Sequence, residues 1–508
     1  MKKIFFYISL SIIILYWVYL RFYELWTWSF WIDEWYSSIV SYFANSNNYL
    51  PILLSQKYDF SQYIFTIFQS ISFSIFWVSD FSARIPSFIF WILNILLYFI
   101  FSKEIFKHSK NKKIYVFIMM FLFIFSTWQI IWAREARFYE ILSFIYLLSV
   151  YFLWKYFVKN KESYFLYFLL SSLIWIFFHP FCFWLIIIWF LLFIYKTYKK
   201  NDFSNVKKII ILFIIINIYL IIDLFIKYIS NSNTDLTNIV KQANHLWEYN
   251  FLNYIIFYIK NIYSELWIVF ISYIFMIFYF LKKWKYIEFI LFWLLVILNI
   301  IVISNWYMAH TRYMFHLYSI ITFIWSLWII IFLNYLVKIY KFEYKKIYIF
   351  ILIVLFLFSI IKTYKITLIP QRYYYIDYTS PKPNFKLAYD HINKNLEWKK
   401  IISGFPHLCY WYNINENEKC NYWLKINLIW TKKNINNSEN EIYTNTKYLN
   451  NLDELKDIDN YVFVIDDLTL KNAENKELLN DIINNCTMIY KDVWDYEKSN
   501  FIWIWRCK

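Results

Sequence analysis

Met1-Lys2-Lys3 opens onto the apolar run IFFYISLSIIILYWVYL of residues 4–20, and beyond it lies Ile32-Asp33-Glu34-Trp35-Tyr36, two adjacent carboxylates in a chain that is otherwise mostly hydrocarbon. These stretches decide the reading of the fold. The run has about the length a bilayer core requires, and the two lysines hold the N-terminus in the cytoplasm. No small-residue cleavage site follows it and further apolar runs do, so it reads as a retained span rather than a signal peptide. Asp33 and Glu34 then stand at the water boundary on the far side.

The rest of the chain repeats that pattern. Runs of spanning length fall near 85–102, 114–132, 138–157, 163–178, 181–196, 208–229, 265–281, 286–304, 315–337 and 346–361, about eleven spans with the first. Segment 60–79 is also apolar, but its serines and Asp80 suggest a re-entrant or interfacial helix. Lysines cluster in alternate loops, at 103–113, 155–161, 196–208, 282–285 and 338–346, all on the N-terminal side. The other loops carry Asp33-Glu34, Arg134 to Glu140, His179-Pro180, residues 230–264 and His310 to Tyr313. Candidate chemistry therefore collects on the outer face.

The composition agrees. Of 508 residues 61% are hydrophobic and 26% aromatic, more than a soluble core needs, which makes this a polytopic membrane protein. The net charge of +16 sits in short loop clusters with no basic groove, which excludes nucleic-acid binding. One count is abnormal: a single glycine, Gly404, against 27 tryptophans, where glycine is ordinarily about 7% of residues. An AT-rich gene explains the Ile, Lys, Asn, Phe and Tyr but not the Trp. UGA codons meaning glycine and read as tryptophan explain both, and Trp35, Trp77 and Trp398 sit where a turn or close packing favours glycine.

After about residue 361 the sequence turns polar, and Pro370, Pro381 and Pro383 mark a linker. We divide the chain into a membrane domain, 1–365, and a small extracytoplasmic α/β domain, 366–508. The latter is expected to hold a helix near 384–395, a strand at 401–403, a strand at 461–465, a helix near 471–484 and a strand pair near 486–490 and 501–506. Cys409, Cys420, Cys486 and Cys507 lie in it and permit disulfides, with three pairings open.

Four places carry the candidate chemistry. Asp33 and Glu34 are either solvated loop acids or, partly desolvated at the membrane boundary, a general base or a hold for a divalent ion. In Trp132-Ala133-Arg134-Glu135-Ala136-Arg137-Phe138-Tyr139-Glu140, helical spacing puts Arg134 near Arg137 and Glu135 near Tyr139. This is either a capped helix start or a phosphate clamp with a second acid. Arg84 alone reads as a snorkelling anchor. His179 interrupts an apolar stretch as a helix break, and Arg312 with Tyr313 can meet a phosphate at the outer leaflet.

Together these segments resemble the GT-C glycosyltransferases of family 39, the protein O-mannosyltransferases and the bacterial lipid A aminoarabinose transferases. Asp33-Glu34 matches their acid pair after the first helix, Phe81-Ser82-Ala83-Arg84-Ile85-Pro86-Ser87 a Ser-x-x-Arg-Leu-Pro-Ser segment, and Glu135-Ala136-Arg137-Phe138-Tyr139 a Glu-Ala-Arg-x-Tyr segment. His179 and Arg312-Tyr313 match a later His and a late Arg-Tyr. Trp35, Trp77 and Trp91 depart from the small residues usual at those places. The resemblance implies a GT-C membrane fold and inverting transfer of a sugar from a polyprenyl-phosphate donor to a protein, lipid or glycan acceptor on the outer face. Catalytic roles fall to Asp33 as base, Glu34 in support and Glu135 as second acid. Substrate binding falls to Arg84, Arg134, Arg137, Tyr139, His179, Arg312 and Tyr313, with Arg137 and Arg312 on the donor phosphate. Some relatives use a divalent metal, for which Asp33 and Glu34 are the candidates; no cofactor is certain. The rival reading is a transporter or flippase of lipid-linked glycans, which needs charges near span centres. A ligase needs paired arginines in a large outer loop, and residues 230–264 hold no Arg.

Overall fold

The computed structural model describes residues 3–22, 25, 30, 32–46, 63–124, 127–159, 161–176, 251–263, 311–340, 384–395, 400–413, 420, 422–424, 446–449, 454–455, 458–466, 470, 476–491 and 502–507, with scattered positions between 210 and 304. The principal helices, in chain order, are α1 (Lys3–Phe22), α2 (Ile32–Ser46), α3 (Tyr63–Phe76), α4 (Asp80–Ile105), α5 (Lys112–Ile124), α6 (Thr127–Ala133), α7 (Tyr139–Lys159), α8 (Glu162–Ile176), α9 (residues 251–263), a 3-10 helix at Thr311–Leu317, α10 (Tyr318–Tyr340), α11 (Phe385–Asn395), α12 (Pro406–Tyr412) and α13 (Lys476–Asn485). The expected spans at 181–196, 265–281 and 346–361, and most of 208–229 and 286–304, lie outside the described residues.

The chain falls into two compact units. One comprises Met1–Tyr23, Leu54–Phe65 and Ser87–Leu368; the other Glu24–Leu53, Thr66–Pro86 and Ile369–Lys508. In the first, two stretches are long and apolar enough to cross a membrane among the described residues, Asp80–Ile105, whose first turns belong to the other unit, and Met314–Ile339. The polarity of this unit is inverted relative to a water-soluble bundle. Ile8, Ile12 and Leu15 of α1 and Ile89, Leu96 and Ile100 of α4 are exposed, while Arg21, Asn94, Ser102, Ser143 and Ser149 are buried. Hydrocarbon is the solvent that such a surface suits. Inside, hydroxyl groups join or relax neighbouring helices, as where Ser149 Oγ meets Ser171 Oγ at 2.9 Å and Tyr115 donates to Asn334 Oδ1 at 2.9 Å.

The second unit is built on a six-stranded sheet of β1 (Lys400–Ser403), β2 (Tyr422–Leu424), β3 (Lys447–Leu449), β4 (Tyr461–Asp466), β5 (Thr487–Lys491) and β6 (Ile502–Arg506), ordered β3-β2-β1-β4-β6-β5. The pairs β2/β3, β1/β2 and β1/β4 are parallel, and β4/β6 and β5/β6 antiparallel. All six residues of β4 are buried, as a central strand covered on both faces requires. Ile402, Leu424, Phe463, Ile465, Ile482 and Trp505 form the core beneath it. Disulfides join Cys409 to Cys420 and Cys486 to Cys507, which selects one pairing of the three. The expected α11, β1, β4, α13 and β5–β6 hairpin are present; α12, β2 and β3 were not anticipated.

The same unit includes α2, α3 and the first turns of α4. At 14 residues α3 falls short of a span. It ends on Trp77, whose φ of 60° is left-handed. Ser79 then caps α4: its hydroxyl accepts the Ser82 N–H at 3.2 Å, and Ser82 Oγ accepts the Ser79 N–H at 3.0 Å. Gln69 of α3 joins all three helices, accepting from Ser41 Oγ at 2.6 Å and donating to Ser38 Oγ at 3.0 Å and to the Ala83 carbonyl at 3.1 Å.

Candidate active site

Asp33 and Glu34 lie in the first turn of α2 rather than in an open loop. Acids are stabilised there by the unpaired amides and the dipole of the helix start. Glu34 is fully buried, and so is Arg84, one turn into α4. Arg84 Nε donates to Glu34 Oε1 at 3.1 Å and Nη2 reaches Oε2 at 3.5 Å, while Nη1 donates to the Leu25 carbonyl at 2.8 Å. The guanidinium carbon also stands 4.9 Å from the Phe30 ring centroid. Reading Arg84 as a snorkelling anchor is therefore corrected: it is a buried brace between α4, the acid of α2 and the segment before it. Two charges withdrawn from water need such geometry, because either alone would cost several kcal/mol.

Asp80 begins α4 and is 5% exposed. Its Oδ2 accepts from Lys386 Nζ of α11 at 2.9 Å, and its Oδ1 from the Trp411 indole N–H of α12 at 2.8 Å. Next to it, the Phe30 N–H donates to the Tyr412 hydroxyl at 2.9 Å. The Trp411 ring packs against Phe30 at 5.1 Å and Phe73 at 5.9 Å. Apart from Asp80, cited only for the polarity of its segment, sequence reading passed over these residues, since separations of more than 300 positions leave no local signal.

In the other unit, Arg134 to Phe138 form a chain of turns between α6 and α7. The helical spacing expected for Arg134 with Arg137, and for Glu135 with Tyr139, is thereby corrected. The Arg137 N–H closes back on the Glu135 carbonyl at 2.8 Å, a γ-turn that interrupts the helix. Arg134, Glu135, Arg137 and Tyr139 are all buried. Ser87 Oγ of α4 donates to the Arg137 carbonyl at 2.9 Å, and Asn94 Nδ2 donates to the Glu140 carbonyl at 3.1 Å and to Glu140 Oε2 at 2.9 Å. The Arg137 guanidinium lies 5.4 Å from the Phe138 ring and 5.8 Å from the Tyr139 ring. Arg21, buried at the end of α1, stacks 4.1 Å over Trp91 and donates to the Ile124 carbonyl at 3.3 Å. Asn94, Glu140 and Arg21 are additions to the expected set.

Arg312 and Tyr313 fall in the 3-10 helix Thr311–Leu317, which runs into α10. The side chains of Asp33, Arg312 and Tyr313, and all of His179, lie outside the described residues. Among the described residues no three of His, Cys, Asp and Glu come together as a metal site. A divalent ion on Glu34 would face the Arg84 guanidinium, so that carboxylate does not fit one.

The fold recurs in a solved structure. ArnT from Cupriavidus metallidurans, bound to undecaprenyl phosphate, matches with a TM-score of 0.62 over 97% of this chain and 97% of that one, at 9% identity. ArnT from the same organism in the apo state matches with a TM-score of 0.58 over 98% of this chain and 97% of that one, also at 9% identity. No protein-family model matches the chain. No curated protein matches it either. The likeness establishes the fold, which is that of the ArnT chains.

Proposed function

We propose that the chain is a membrane glycosyltransferase that moves a sugar from a polyprenyl-phosphate donor to an acceptor on the outer face, with inversion at the anomeric carbon. The observation that carries this reading is likeness over 97% of both chains to a protein solved with undecaprenyl phosphate. The sequence resemblance assigns the catalytic residues to helix α2 and to Glu135, and the substrate-binding residues in part to the turn at 134–138.

In this reading Asp33 takes the proton from the acceptor hydroxyl as its oxygen attacks the anomeric carbon. The bond from that carbon to the phosphate oxygen breaks, and polyprenyl phosphate leaves with the electron pair. A single displacement needs one base and no enzyme nucleophile. Arg137 and Arg312 receive the phosphate charge, Arg134 and Tyr139 serve as further substrate contacts, and Glu135 acts near the acceptor. Glu34 and Arg84, occupied with each other, orient α2 rather than touch substrate. The N-terminus is cytoplasmic, and the α/β domain lies outside, where its disulfides form. The transporter reading receives no support from the described charges, since Arg21, Arg84, Arg134 and Glu140 all stand at helix ends.

The test is transfer by membranes carrying the full chain, supplied with a panel of labelled undecaprenyl-phosphate sugars. Asp33→Asn is expected to lower turnover by about 10²–10⁴-fold, the usual contribution of a general base. Equal transfer by variant and parent removes Asp33 from the mechanism; no transfer by the parent sinks the reading itself.

A further inference from the structure

The sheet of the second unit has its topological switch between β1 and β4, where chain order runs outward to β2 and β3 on one side and onward to β6 and β5 on the other. Open α/β sheets commonly bind a ligand in the crevice at the carboxyl ends of such strands. Here the segment leaving β1 goes elsewhere. Gly404 N–H is tied to the Val464 carbonyl of β4 at 2.9 Å, and Ser403 Oγ, held at 2.9 Å from the Tyr389 hydroxyl of α11, accepts the Phe405 N–H at 3.0 Å. These bonds turn the chain at once into α12, which packs on α2. Asn413 closes the end of α12 by donating to the Cys409 carbonyl, and the Cys409–Cys420 disulfide ties the helix to the residue two places before β2.

Three polar contacts join this corner to residues near the acid pair, the Trp411 indole N–H to Asp80 among them. Lys386 of α11 holds Asp80, four residues before Arg84, and Tyr412 of α12 holds the Phe30 amide, three residues before Asp33. Arg84 in turn holds Glu34 and the Leu25 carbonyl. The first turn of α2 is thus gripped from the N-terminal side by Tyr412 and across its face by Arg84, whose helix start is fixed by Lys386.

We infer that Asp80, Lys386 and Tyr412 are positioning residues, through which the α11–α12 corner of the α/β domain sets the placement of the acid pair; for catalysis this rests on the transferase reading above. None of the three touches substrate. Their effect is on how often the base is in place, so they act on turnover more than on donor affinity.

Asp80→Asn, Lys386→Asp and Tyr412→Phe are compared with the parent full-length chain in membranes or detergent. Tyr412→Phe removes one oxygen and keeps the ring, so it tests the contact with little risk to folding. Two readouts are taken. Amide hydrogen exchange over residues 30–40 is expected to quicken about tenfold in Asp80→Asn and Tyr412→Phe, as loss of one such bond implies, while exchange in β4 stays as in the parent. In the transfer assay kcat is expected to fall about tenfold or more with KM for the donor within about twofold, and Asp80→Lys with Lys386→Asp to recover part of the loss. Unchanged exchange over 30–40 overturns the inference whether or not the parent transfers sugar. Quickened exchange with parental kcat overturns the catalytic half alone, and a silent parent with quickened exchange overturns the transferase reading while the clasp stands.

Discussion

At position 77 the backbone turns left-handed, with φ of 60°, and the indole is 87% exposed. The residue follows the last turn of α3, the place where helices most often end on glycine. A side chain there costs about 1–2 kcal/mol that glycine avoids. With one glycine in 508 residues, the geometry supports a glycine codon read as tryptophan. We expect UGA at codon 77, glycine at that position in the mass spectrum of the protein purified from its source, and a gain of about 1 kcal/mol in Trp77→Gly against the printed sequence by thermal unfolding. A UGG codon, or a lower Tm in the variant, sinks this. The same argument does not extend to Trp35, whose backbone is helical, nor to Trp411, whose indole N–H is spent on Asp80; codon 411 is expected to read UGG. Arg84 supplies the other residue-scale prediction. Arg84→Ala strands a buried Glu34, at about 3–5 kcal/mol, and Arg84→Lys does not restore the parent, since an ammonium cannot span both carboxylate oxygens and the Leu25 carbonyl together. Unfolding midpoints of the two variants decide it; equal stability of Arg84→Lys and parent refutes the brace.

Among elements, periodicity and composition located most of what the structure holds. The run at 85–102 became α4, 138–157 became α7 and 315–337 the greater part of α10, because a long apolar segment in lipid has few options besides a helix. The acid pair was legible in position but not in conformation: read as a loop, it is the first turn of an amphipathic helix. The turn at 134–138 misled in the opposite sense. Its spacing of three and four suits a helix, yet the Arg137 carbonyl in the turn accepts from Ser87 of α4, and no local pattern encodes a partner 50 residues away. In the α/β domain, β2 and β3 are three residues each, too short for alternation to register, and exist because parallel neighbours supply their hydrogen bonds. The Cys409–Cys420 bridge closes a loop of 11 residues that anchors α12. Replacing both cysteines by serine should cost about 2–4 kcal/mol and quicken exchange in α12 before that in β4. A stability equal to the parent refutes a structural role for the bridge.

For the molecule as a whole, the membrane class and the order of polar and apolar segments, with the polar tract after residue 361, are legible in composition. Those properties follow from solvation: hydrocarbon and water each accept only certain side chains, and the partition is written in composition. Tertiary structure alone decided which cysteines pair, that Arg84 belongs to Glu34, and that residues 24–53 and 66–86 fold with residues 369–508 rather than with the remaining helices. Contacts such as Lys386 with Asp80 and Tyr412 with Phe30 join residues 306 and 382 positions apart. Their energies come from bringing buried charges and amides to a partner, and that depends on where the folded chain has carried each group, a quantity that no window of sequence contains.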